Sequence, residues 1–167
     1  MIAPPQALVE LLKPWNDFYS HSKTTVTIVT FVHIGGILLA GGLAIAADRG
    51  TLRALQIAAG DRAHYTRELR SVHRWVITGL VAVVLSGLLM LASDFETFWG
   101  SAIYWIKMTL VVILLVNGYG MMRAEAQLER DASESSPAWT ALRRTAISSL
   151  VLWFIITALG IALVNFS

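Results

Sequence analysis

The spacing of charged residues constrains this chain more than any other feature. Between Lys23 and Asp48 lie 24 consecutive residues without Asp, Glu, Lys or Arg, and between Arg74 and Asp94 lie 19. From Thr97 to Met122, 26 residues carry one charge, Lys107, and the 23 residues from Thr145 to Ser167 carry none. A helix needs ~20 mostly apolar residues to cross a hydrocarbon core of ~30 Å. The runs therefore predict four crossings, at 24–47, 73–93, 102–122 and 145–166. Inside lipid every backbone polar group must be bonded within its own segment, so unbroken runs of this length are helices. Barrel strands would be ~10 residues of alternating polarity, a pattern this sequence lacks. The expected fold is all-α: a polytopic membrane protein, one four-transmembrane-helix bundle over residues 1–167.

Composition excludes the main alternatives. Hydrophobic residues make up 56% of the chain and charged residues 14%, against ~25% charged in a soluble domain. With no cysteine there are no disulfides, no thiolate metal ligands and no thiol nucleophile. The net charge of +2 does not point to nucleic acid, because the basic residues flank apolar spans and read as bilayer anchors.

Loop charge sets the expected orientation. Segments 48–74 and 123–144 hold 10 of the 13 basic residues, from Arg49 to Arg74 and from Arg123 to Arg144; Lys13, Lys23 and Lys107 lie elsewhere. The positive-inside rule then makes both loops cytoplasmic and both termini external, in an inner-type membrane. Trp99 and Trp105 flank the second and third spans on the outer side, with Trp75 and Trp139 on the inner side, where aromatic belts belong.

Residues 1–20 lack a basic opening and an apolar core, and Pro4, Pro5 and Pro14 interrupt them, so they do not read as a cleavable signal. The stretch Ala7–Leu12 reads as a short interfacial helix with Trp15 and Tyr19 at headgroup level. The second span is expected to extend into the cytoplasm from near Asp61, and the third to continue through Arg123–Arg130, a good helix former. Ser-rich Asp131–Pro137 reads as a turn.

Ionisable residues deep in a membrane helix are costly and mark function by default. Two stand out. His33 lies roughly 12–14 Å into the first span, and Lys107 about 8 Å into the third, in the same outer half. Gly36, Ala40 and Ala44 share the face of His33, and Gly35, Gly41 and Gly42 thin the same helix. One reading is a flat slot beside an axial haem ligand. The other is a seam of small residues that lets helices pack closely, with His33 hydrogen-bonded to a neighbour. Lys107 either snorkels to the interface or faces a haem propionate or a quinone oxygen.

The other histidines fit a shared iron less well. His21 lies outside the first span; His64 and His73 lie on the inner side, with His73 roughly 15–20 Å from the level of His33 along the normal. Asp94 and Glu96 read as a solvated turn, and Ser86, Asn117, Tyr119 and Thr157 as interhelical hydrogen-bonding residues. No zinc-protease, nucleophile-elbow, phosphate-loop or dinucleotide motif is present.

Phe31-Val32-His33-Ile34-Gly35-Gly36, Ser86-Gly87-Leu88-Leu89 and Ile106-Lys107-Met108-Thr109-Leu110-Val111-Val112 together resemble the superfamily of the copper-resistance D proteins and HemJ-type protoporphyrinogen oxidases. The resemblance covers roughly residues 25–125. It implies a helical bundle that binds haem b, with His33 as the axial-ligand candidate and Lys107 in the same pocket. The chain departs from the pattern in lacking a Trp soon after His33 and a second acid or His in the later helices. Copper transport lacks paired Met or His; Met121-Met122 stand alone near the inner face.

The expected function is a cytochrome b-like membrane protein that passes electrons between a quinone and a partner redox protein. The alternative is a non-catalytic accessory subunit of a larger membrane complex. Expected partners are the lipid bilayer and a protein, either another subunit or a second copy. A transporter is disfavoured by the absence of discontinuous helices and of buried acidic residues.

Overall fold

A computed structural model describes residues 4–56, 59–130, 133 and 136–166, with the side chains of 59–71, 73, 129 and 166 left out. The described chain is built of helices: α1 (Gln6–His21), α2 (Lys23–Ala54), α3 (Ala59–Ser93), α4 (Phe95–Gly100), α5 (Ala102–Arg130) and α6 (Pro137–Phe166). Four stretches are long and apolar enough to cross a membrane: Lys23–Ala54, Arg74–Ser93, Ala102–Leu128 and Pro137–Asn165. They coincide with the four charge-poor runs, and the protein is an all-α membrane bundle.

Helices α3 and α5 run past their spans, as the sequence predicts. Helix α1 is longer than expected and carries Pro14 in its interior. The backbone bond a proline forgoes is tolerable there because the residue lies on an exposed surface. Trp15 Nε1 donates to the Leu89 carbonyl at 2.9 Å and Asn16 Nδ2 to that of Ser93 at 2.6 Å. These bonds tie α1 to the end of α3, while Leu11 and Phe18 remain exposed. Ser22 then caps α2 by accepting from the Thr25 amide. The expected turn at Asp131–Pro137 falls largely outside the described residues.

Helix α2 packs along α3 and against α6, and α6 packs along α5. The order around the bundle is therefore α3–α2–α6–α5, and the ring barely closes, because α3 and α5 scarcely touch. One core cluster joins α5 and α6 through Met121, Ala124, Leu128, Ala138, Leu142 and Ala146. A second joins α2, α5 and α6 through Ala40, Leu114, Leu152, Trp153 and Ile156. Large apolar side chains such as Phe31, Leu38, Val116 and Phe154 face outward, the arrangement a hydrocarbon solvent permits.

Small residues set both α2 crossings. A Cβ on Gly79 would lie 2.8 Å from the Ala40 amide nitrogen, and one on Gly36 3.0 Å from the Gly79 carbonyl. On the α6 side, a Cβ on Gly41 would lie 3.1 Å from the Trp153 ring. Close backbone approach of this kind is how helices gain packing energy where lipid removes the hydrophobic drive.

Candidate functional site

His33 sits half-buried on α2 against α3. Its Nδ1 is 3.0 Å from Ser86 Oγ, and its ring also hydrogen-bonds the Val83 backbone. Ser86 Oγ is 2.6 Å from the Ala82 carbonyl, one turn back on its own helix. Ser86 Oγ also lies 3.2 Å from the Val83 carbonyl. With its hydroxyl hydrogen on either carbonyl, Oγ is free to accept from Nδ1–H, and in that tautomer Nε2 carries the lone pair. Gly87 makes room for the ring: a Cβ there would be 3.3 Å from His33 Cε1.

Lys107 reaches the same region from α5. Its Nζ lies 3.5 Å from where a Cβ on Gly160 of α6 would be, and it is within electrostatic reach of His33. No carboxylate among the described residues pairs with it. The sequence placed His33 and Lys107 at one depth on separate helices; in the fold His33 packs against α3 and Lys107 against α6, within electrostatic reach of each other.

The small-residue strip requires a correction. Gly36 and Ala40 do not line an open slot beside His33. Ala40 is wholly buried, and Gly36, Ala40 and Gly79 are filled by the α2–α3 crossing itself. A flat ring has no room there, because backbone atoms already occupy the space that the missing side chains leave. Gly35 and Gly42 face open space.

Of the polar residues expected to bridge helices, two do. Ser86 bonds His33, and Asn117 Nδ2 donates to the Thr145 carbonyl of α6 at 2.9 Å. Thr157 instead returns its hydroxyl to Trp153 within α6, and Tyr119 stacks under Arg123 on its own helix, 4.8 Å from guanidinium carbon to ring centre. The side chains of His64 and His73 lie outside the described residues. No group of three or more His, Cys, Asp or Glu that could hold a metal occurs among the described residues.

One buried acid escaped the sequence reading. Asp48, taken as the first residue of a loop, lies within α2 and is 2% exposed. It is within hydrogen-bonding reach of Ser149 on α6, yet among the described residues its Oδ2 has no partner, and neither has Oγ1 of Thr51 one turn on. Asp48 lines a cleft of ≈ 210 Å³ between α3 and α5, floored by α2 and α6. The expected lack of buried acidic residues, which disfavoured a transporter, is thus contradicted by Asp48. A signal was present: stepping by four from Gly36 through Ala40 and Ala44 arrives at Asp48, so the buried stripe of α2 runs straight into it.

No family model, curated protein or solved structure matches the chain.

Proposed function

We propose that this protein is a haem b-binding, cytochrome b-like membrane protein in electron transfer, with His33 Nε2 as axial ligand. The observation that carries the reading is the Ala82–Ser86–His33 chain. It supports the tautomer with Nδ1 protonated and holds the ring, the kind of arrangement that outer-shell partners give metal-bound histidines. Lys107 lies close enough to balance an anionic group, such as a haem propionate or a quinone oxygen, held beside His33. Bound haem would supply one-electron chemistry. His33, Ser86 and Lys107 would hold and orient it, and apolar side chains would exclude water. Gly36 and Ala40 have no part in this.

The experiment is an absorption spectrum of the protein purified in mild detergent after haem-replete expression. A Soret band that His33→Ala abolishes is expected. Colourless wild-type protein of intact fold would overturn the reading.

The seam at Gly36, Ala40 and Gly79 is filled within this chain, which takes away a slot for a flat ring there and favours a second reading, a non-catalytic accessory subunit of a larger membrane complex. In that case His33 serves only the α2–α3 contact. Gentle solubilisation would then yield a reproducible larger assembly, unaltered by His33→Ala.

In either role the arginine bias makes 48–74 and 123–144 cytoplasmic and both termini external. A cysteine introduced at Ser133 should react with impermeant thiol reagents only after the membrane is opened. Labelling of sealed, right-side-out cells would reverse the topology.

A further inference from the structure

The cleft that contains Asp48 is remote from His33 in the fold and has no role in the haem reading. Its walls are apolar: Val76 and Leu80 from α3, Leu114 and Leu115 from α5, and Trp153 from α6. At its floor stands the carboxyl group of Asp48, which is 2% exposed and whose Oδ2 has no hydrogen-bond partner among the described residues. Asp48 makes no ion pair among the described residues, and Glu125 of α5 adds negative field instead of relieving it. A carboxylate withdrawn from water without a counter-charge costs several kcal/mol. Neighbouring helices normally remove that cost with an arginine, lysine or paired donors. Here the described neighbours provide Ser149 alone.

From this we infer that the cleft is a binding site for a lipophilic amine, whose ammonium group bonds the Asp48 carboxylate while its apolar body lies along α3 and α5. The chemistry of the lining selects that class. An anion would meet Asp48 and the field of Glu125. A sugar or other polyol would find too few polar groups, since few ligand contacts other than Asp48 and Ser149 are on offer. A purely apolar molecule would fit the walls but leave Oδ2 unanswered. A protonated amine on a short aromatic or alkyl tail satisfies both halves, and the volume suits a small molecule rather than a macrocycle.

The test compares 4-phenylbutylamine with 4-phenyl-1-butanol, which share a tail and differ in charge, on the full-length protein in a zwitterionic detergent. Binding is followed by quenching of tryptophan emission and by thermal shift, with Asp48→Asn measured in parallel to separate site binding from partition into detergent. The expected result is a preference for the amine of about tenfold or more, as a charged hydrogen bond provides, reduced to near parity in Asp48→Asn. Equal affinity for the two compounds, no saturable binding of the amine, or a preference that survives Asp48→Asn would each overturn the assignment. Should Asp48→Asn not fold, the amine-to-alcohol comparison on wild type is read together with Gly118→Leu, which adds bulk at a residue of α5 that lines the cleft and must abolish the preference.

Discussion

His33 Nδ1 and Ser86 Oγ meet at 3.0 Å across the α2–α3 seam, a contact that joins the two helices through an ionisable side chain. Ser86→Ala removes the acceptor while leaving the imidazole in place. Interhelical bonds in membranes are worth about 0.6 kcal/mol on average and reach about 1.7. A loss of that size is expected in reversible SDS-urea unfolding. If haem is bound, losing an outer-shell partner should also weaken it about 10- to 100-fold, read by haem transfer to apomyoglobin.

Gly79→Ala should be among the most damaging single-methyl changes in the bundle. The new carbon would sit 2.8 Å from a backbone nitrogen and 2.9 Å from the Ala40 Cβ, and neither can rotate away. Overpacking of this kind costs about 1–3 kcal/mol. Gly35→Ala and Gly42→Ala meet nothing within 4 Å, so they should be neutral or stabilise through helix propensity by roughly 0.5–1 kcal/mol. Melting temperatures of the three variants in one detergent provide the comparison. Equal effects at Gly79 and Gly42 would mean the seam is not closed.

Asn117 is the polar clamp between α5 and α6. Asn117→Leu keeps the branching and the number of side-chain heavy atoms and discards the bond to the Thr145 carbonyl. We expect about 1 kcal/mol of destabilisation, with no change in a Soret band, since the pair lies away from His33. A spectral change in this variant would show that the two regions are coupled.

The N-terminal helix should detach without unfolding the bundle. Trp15→Phe combined with Asn16→Ala removes both bonds that hold α1 to α3, and no residue of α1 is buried. Limited proteolysis should then cut within α1 faster than in the wild type, while the helical content of the remainder and its melting stay as they were.

How much of this could be read from the chain depends on which physics writes the signal. The four spans were legible because lipid excludes charge, and Lys23, Arg74 and Asp94 stand at or next to their edges, whereas α2 runs past Asp48 to Ala54. The extensions of α3 and α5 followed from good helix formers beyond those edges. The partnership of His33 with Ser86 was not legible, because hydropathy carries no information on which helices are neighbours. The role of Gly36 and Ala40 was ambiguous for the same reason: a small side chain makes room, and only the packing says for what. Asp48 was overlooked because a charge at the end of an apolar run reads as the start of a loop. Its spacing of four from Ala44 argued otherwise and was the better guide.

The near absence of contact between α3 and α5 has a consequence for how anything reaches the interior. Among the described residues, the α3–α5 side of the bundle is left open along the apolar cleft. The lipophilic amine inferred above would reach the carboxyl group through that side, out of the bilayer. Its apparent potency will follow its oil–water partition as closely as its fit, so compounds of identical shape should rank by how strongly the membrane concentrates them.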